Sequence, residues 1–361
     1  MTFYYLIFFV LSLFVLLEGI RLDRRFLGLI YTLFCLSFFF LSFIRWETGT
    51  DWKNYYNYFE SIENLDFETD SYELGFHYLN KLVKFISDDY TVLLIFSGAI
   101  LFFFQSIAIK RMSPYPLLSL LFLWSTQFAN VLFVRQWIAV VILFCSTVFI
   151  EKRKPFLFVI FVLIACSFHR TSFLFLLSWW IYNLDFSKKK MIIILILSIL
   201  VSLLLTKVME FIAGNLGGVV QAKLDGYLDE DYNSSQKEEL NIVSVMLRGF
   251  SNKLLILITS FYFYKRIVND FPVFKGYLNI YWFGAIVYFM TLPVSLVLVR
   301  MSYAFDFFQI ILAAFIFAQF KSKHSRLIFL TIFLIYLILR LTQTLNGPYM
   351  EEYVPFKTIL D

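Results

Sequence analysis

Residues 117–150 read LLSLLFLWSTQFANVLFVRQWIAVVILFCSTVFI, 34 residues with a single charge, Arg135. As one helix rising about 1.5 Å per residue, the run would reach roughly 51 Å, far more than a hydrocarbon core of about 30 Å. Lys110 and Arg111 precede it, and Lys152, Arg153 and Lys154 follow it. Short basic loops stay on the cytoplasmic side, so a segment with both ends there has to enter the membrane and return. Two complete crossings need about 60 Å. The residues therefore predict a short helical hairpin whose tip, near Arg135, sits low at the outer membrane–water boundary.

The rest of the chain has the same character. Of 361 residues, 60% are hydrophobic and 16% charged, whereas a soluble domain holds about 45–50% and 25%. Phenylalanine alone fills 47 positions, and mean hydropathy is +0.75. One globular core cannot hide that excess, so lipid has to serve as solvent. A net charge of +5 is too small to point to nucleic acid. Cys35, Cys145 and Cys166 all lie in apolar runs, which leaves no disulfide framework or thiolate metal site. Zinc, dinucleotide and P-loop patterns are absent, so no cofactor is expected. Met1-Thr2-Phe3-Tyr4-Tyr5 lacks a basic n-region and no small-x-small site follows Leu17, so the first run reads as a retained span.

Six basic clusters punctuate the chain: Arg21/Arg24/Arg25, Lys110/Arg111, Lys152/Arg153/Lys154, Lys188/Lys189/Lys190, Lys265/Arg266/Lys275 and Lys321/Lys323/Arg326. With all six inside, every interval between them crosses an even number of times, which gives about twelve spans and places both termini outside. The apolar runs put these at 2–17, 26–44, 91–109, 117–131, 135–150, 155–168, 171–184, 191–209, 243–264, 277–292, 303–320 and 327–345. A variant with ten or eleven spans stays open. The expected fold is an all-α polytopic membrane protein forming one membrane domain, residues 1–361. Two loops fall on the outer side: 45–90, with ten acids against four basic residues, and 207–252.

Residues 155–184 form a second interval too short for two full crossings, and His169 and Arg170 are its only ionisable groups. Ionisable residues at membrane depth mark functional sites, and several gather on the outer side. Arg45-Trp46-Glu47-Thr48-Gly49-Thr50-Asp51-Trp52 follows the second run, with Asp51 suited to N-cap an aromatic helix. An ordinary interfacial aromatic belt accounts for its Trp and Tyr residues equally well. Arg135 offers a phosphate two parallel hydrogen bonds, and Gln136 adds a donor and an acceptor. His169 is able to act as a general base near neutral pH. Arg300 and Asp306 are the only charges between Tyr277 and Phe320. On an α-helix Tyr303 shares the Arg300 face and Asp306 is turned away, so Arg300 and Asp306 each need another partner. Arg248 is a further cation at the start of a span, and Pro293 breaks or kinks the helix before it. Such a set suits a diphosphate leaving group and a hydroxyl acceptor at the outer face.

The order Arg45…Thr48-Gly49-Thr50-Asp51…Tyr55, then Val134-Arg135-Gln136-x-Ile138-Ala139, then Phe168-His169-Arg170-Thr171-Ser172 resembles the EpsG family of bacterial polysaccharide biosynthesis proteins, which includes Wzy-type O-antigen and capsule polymerases. Arg300 and Tyr303 stand at its late arginine-containing segment, and the resemblance covers roughly residues 25–320. It implies a metal-independent membrane glycosyltransferase of the bacterial inner membrane, without a cofactor. Glycan would pass from undecaprenyl diphosphate to a hydroxyl of another lipid-linked repeat unit at the periplasmic face. Arg135 and Arg300, with Arg248, would hold the diphosphate. Asp51 or His169 would orient or deprotonate the acceptor, with Arg45 supporting Asp51, and Gln136, Arg170, Tyr303 and Asp306 completing the surroundings. Where the family commonly has a neutral residue after the histidine, this chain has Arg170. The expected partners are the lipid-linked oligosaccharide and membrane lipid, with room for a chain-length regulator and a flippase, and no nucleic acid. The alternatives are a flippase or exporter of the same lipid-linked unit, and a ligase of O-antigen type. Transporters often show internal repeats, and none is visible here.

Overall fold

Each apolar run bounded by basic clusters becomes helical in the computed structural model, which describes residues 1–20, 22–62, 72–131, 135–216, 242–293, 298–347 and 350–361. Arg21, Val134 and most of the second external loop, 217–241, lie outside the described residues. Among the described residues there is no β-strand, only an isolated antiparallel bridge between Arg45 and Thr358. The protein is all-α and polytopic. Among the described residues, five segments are long and apolar enough to cross a membrane: Thr2–Gly19, Arg24–Ile44, Tyr90–Met112, Leu298–Ala318 and Lys323–Leu345.

The helices group into two compact units, residues 1–173 with 313–361, and residues 174–312. The first holds α1 (Thr2–Gly19), α2 (Arg24–Ile44), α3 (Trp52–Ser61), α4 (Leu74–Ile86), α5 (Tyr90–Met112), α6 (Pro116–Val131), α7 (Arg135–Glu151) and α8 (Pro155–Phe168). The 45–90 segment is thus not a plain loop but carries two helices. α6 and α7 fill the two halves of the interval expected to form a hairpin, but they pack chiefly on other helices, α6 on α1 and α7 on α5 and α8. They are buried almost all round, with Leu117, Leu120, Leu121, Ile138, Val141 and Leu143 fully covered, as befits helices at a bundle centre. α6 departs from helical geometry at Gln127. It packs on α1, where the Trp124 indole N–H donates to Tyr4 O at 3.1 Å. At the other end Glu18 accepts the Leu117 and Leu118 N–H groups, each at 3.0 Å. This carboxylate satisfies donors that the start of α6 leaves orphaned. Around this centre α1, α2, α5 and α8 expose Leu6, Leu13, Leu29, Leu36, Phe103 and Leu163, an apolar rim matched to lipid.

The run 171–184 departs from expectation. It is a 3-10 helix, Arg170–Leu177, followed by the four-residue α9 (Ser178–Ile181). At about 2.0 Å per residue against 1.5 Å, tighter winding lengthens the reach of a segment too short to cross as an α-helix.

The second unit contains α10 (Lys188–Leu216), α11 (Ile242–Asp270), α12 (Phe274–Thr291), a 3-10 turn Leu298–Ser302, α13 (Tyr303–Asp306) and the start of α14 (Gln309–Ala318). α12 ends two residues before Pro293, as proline requires. It packs on α10, with the Trp282 indole N–H donating to Met191 O at 2.9 Å, and on α11 through Phe250 and Phe289. The run 303–320 is not one regular helix, and Arg300 lies in the 3-10 turn before it, so the α-helical wheel placing Asp306 opposite Arg300 does not hold. The last helix of the first unit is α15 (Lys323–Leu345).

Candidate functional site

Where α2 ends, Arg45 turns extended and folds its side chain back. The guanidinium is 2% exposed. Its Nε donates to Ser42 O at 3.1 Å and its Nη1 to Thr48 O at 2.6 Å. Arg45 therefore shapes the turn that presents Asp51 by holding backbone carbonyls. Gly49 sits at φ +113°, a conformation open to glycine and strained for other residues. The C-terminal segment braces this turn. Ile359 N–H donates to Ile44 O at 2.8 Å, Trp46 N–H to Lys357 O at 2.9 Å and Gly49 N–H to Glu352 O at 2.8 Å. Burial, above all, pushes the Tyr353 phenol up to about 12, with Thr50 and Arg45 opposing the rise.

Asp51 occupies the N-cap of α3 as expected, yet its side chain makes no capping hydrogen bond. One turn on, Tyr55 is buried. Burial pushes its phenol up, the Asp51 carboxylate adds to that, and Arg135 pulls it down. Asp51, Tyr55 and Arg135 therefore share one electrostatic neighbourhood.

Arg135 opens α7. Its Nη1 donates to Glu73 Oε2 at 2.6 Å, its guanidinium lies 4.7 Å from the centre of the Tyr72 ring, and the Tyr55 hydroxyl is within hydrogen-bonding reach. The Arg135 Nε is buried and has no hydrogen-bond partner among the described residues. Glu73 stands at the N-cap of α4 without capping it. Instead its Oε1 accepts the Arg170 N–H at 3.1 Å. One carboxylate thus joins the start of α7 to the end of α8. Gly75 permits the approach, because a Cβ there would stand 2.7 Å from the Ser167 carbonyl oxygen.

His169 ends α8 and is 8% exposed, and its Nδ1 shares a hydrogen bond of 2.7 Å with the Thr171 hydroxyl. Arg170 is exposed and Gln136 buried. The first unit therefore gathers Arg135, Asp51 and the His169–Arg170 tip around Glu73, Tyr55 and Tyr72. Sequence reasoning missed Glu73, which was one acid among ten in its loop.

In the second unit Asp306 pairs with Lys253 and accepts from the Ser302 hydroxyl at 2.8 Å. Lys253 Nζ lies 4.3 Å from the centre of the Tyr288 ring. Asp306 does have a partner other than Arg300, as the sequence required, and Lys253 was not foreseen in that role. Arg300 and Tyr303 are half-buried in the broken segment 298–306. Arg248 belongs to α11, and its side chain lies outside the described residues.

The model of the EpsG family fits residues 28–358, from α2 to the C-terminal segment that braces the Arg45 turn. No curated protein and no solved structure matches.

Proposed function

Since this chain belongs to the EpsG family, we propose that it polymerises a bacterial surface polysaccharide of O-antigen type at the periplasmic face of the inner membrane. In this reading an acceptor sugar hydroxyl attacks the anomeric carbon of a donor glycan. The carbon–oxygen bond to undecaprenyl diphosphate breaks, the new glycosidic bond forms, and the hydroxyl proton passes to a protein carboxylate or imidazole. Arg135 carries the leaving diphosphate. Its guanidinium offers a fork that matches phosphate oxygens, and a preorganised cation beside developing charge lowers the barrier without reorganisation. Asp51 takes the proton, with His169 as the other candidate. Neither step calls for a metal or cofactor. Arg300 is assigned a separate anion-binding role in the second unit, with Arg248 weaker.

The observation that carries this reading is that the start of α7, the end of α8 and the Asp51 turn come together at Glu73 and Arg135. It gives one compartment a cation for the leaving group and a carboxylate for the acceptor. The test is complementation of a deletion strain, read as the ladder of surface glycan on a gel. Removing a preorganised charge from such a site costs about 10²–10³ in rate. Arg135→Ala should therefore collapse the ladder to single-repeat species with protein still in the membrane. Arg135→Lys should rescue it poorly, because lysine lacks the planar fork. A normal ladder from Arg135→Ala overturns the proposal, and loss of even the single-repeat product favours a flippase. Arg300→Ala is scored the same way for the second unit.

A further inference from the structure

Glu73 stands in an unexpected place for a protein whose Arg135 is to receive a diphosphate. We infer that its carboxylate is a built-in stand-in for a phosphate group, occupying the anion position of the first unit until a membrane-anchored diphosphate displaces it. The inference rests on the preceding assignment of Arg135 to the diphosphate.

The donor set makes the case. Glu73 Oε2 takes a guanidinium N–H of Arg135 at 2.6 Å, and Oε1 takes the Arg170 backbone N–H at 3.1 Å. The donors come from the start of α7 and the end of α8, and the Tyr55 hydroxyl lies beside the same guanidinium. A phosphate oxygen pair uses the same donors in the same way as a carboxylate. A guanidinium has five N–H donors, and Arg135 still has its buried Nε without a partner among the described residues. Two oxygens of one carboxylate leave that donor unmet, whereas a phosphate group with three or more oxygens has one to spare for it. Tyr72 meanwhile holds the guanidinium plane through its ring face at 4.7 Å, so the fork keeps its aim when the anion changes.

The glutamate is also not engaged as an ordinary cap. It precedes α4, and its backbone oxygen takes the Phe76 and His77 N–H groups at 3.0 Å. Its side chain instead takes the Arg135 guanidinium and the Arg170 N–H. An unliganded, largely buried Arg135 would be an uncompensated charge, which proteins avoid. A resident carboxylate removes that cost, and it also competes with the incoming phosphate. Apparent affinity is lowered by the fraction of sites so occupied.

The test uses the full-length protein in neutral phosphatidylcholine nanodiscs, titrated with inorganic pyrophosphate and followed by thermal shift. Glu73→Gln keeps the shape and an acceptor for the Arg170 N–H while removing the competing charge. It should bind pyrophosphate about 10-fold more tightly than the unaltered protein. Glu73→Asp, one methylene shorter, should give a smaller gain with the acid retained and guards against a variant that fails to fold. Arg135→Ala in the Glu73→Gln background should abolish the gain. Equal or weaker binding by Glu73→Gln overturns the inference and makes Glu73 a structural strut. If Arg135→Ala still loses polymer in that case, the polymerase assignment stands alone. Stabilisation of Glu73→Gln by phosphatidylglycerol nanodiscs, with no response to pyrophosphate, also overturns it by making the occupant a phospholipid headgroup.

Discussion

Arg45 and Arg135 both sit at helix ends, and their surroundings give them opposite work. Arg45 directs its donors to the carbonyls of Ser42 and Thr48, a closed arrangement that sets backbone shape. Arg135 faces a carboxylate, a phenol and an aromatic ring, and carries an unmet donor, which is an open arrangement. Lys253 and Asp306 resemble Arg45 in this respect. Their side chains are 7% and 12% exposed, with Ser302 and Tyr288 completing the surroundings. Removing one partner of a buried pair costs about 3–5 kcal/mol because the other charge stays behind, whereas replacing both with apolar groups is often neutral. Lys253→Met and Asp306→Asn should therefore each lower the melting temperature of the detergent-solubilised protein. Lys253→Met combined with Asp306→Leu should recover most of the loss. A double variant as unstable as either single one would show that the pair is not the source. Sequence could single out Arg135, Arg300 and Asp306 because they are lone charges in apolar runs. It could not single out Glu73 or Lys253. Glu73 is hidden among acids in a solvated loop, and Lys253 pairs across 53 positions of chain with nothing local to mark it.

At the scale of elements, the helices were legible wherever an apolar run lay between basic clusters, and illegible where winding alone distinguished the outcome. Arg170–Leu177 is apolar on most sides, so its sequence carries no period to separate 3.0 from 3.6 residues per turn. The C-terminal brace was illegible for a different reason. It is made of main-chain hydrogen bonds from Ile359, Trp46 and Gly49, which have no side-chain signature. Those bonds hold the turn that presents Asp51, so the brace should matter to activity more than to insertion. Removal of residues 350–361 is expected to leave the protein in the membrane fraction while shortening the glycan ladder at least about 10-fold, the order of effect seen when positioning is lost. Lys357→Ala is the control. It removes only the half-exposed pair with Glu47 at 3.0 Å, which is worth about 0–1 kcal/mol, and should leave the ladder unchanged. A truncated protein with a full ladder would separate the brace from function.

For the whole molecule, the two chain ends meet within the first unit. The Tyr4 hydroxyl donates to Tyr353 O at 2.6 Å, and Phe3 stacks on Phe356 with ring centres 4.8 Å apart. Ends that touch are expected to lie on one side of the membrane, which fits an even number of crossings. The same side holds the end of α2, since Ile44 and Arg45 pair with Ile359 and Thr358, which makes α1 and α2 one down-and-back pair. Their connection carries Arg24 and Arg25, and the connection between α7 and α8 carries Lys152, Arg153 and Lys154. Basic connections face the cytoplasm, so the shared side of the termini is expected to be the periplasm. An alkaline phosphatase fused after Asp361 should then be active and a fluorescent protein fused there dark. Fusions after Arg153 should show the reverse. A fluorescent C-terminal fusion would invert the protein. Asp51, Glu73 and Arg135 would then face the cytoplasm, away from the face the proposed reaction uses, and the polymerase assignment would fall with the topology.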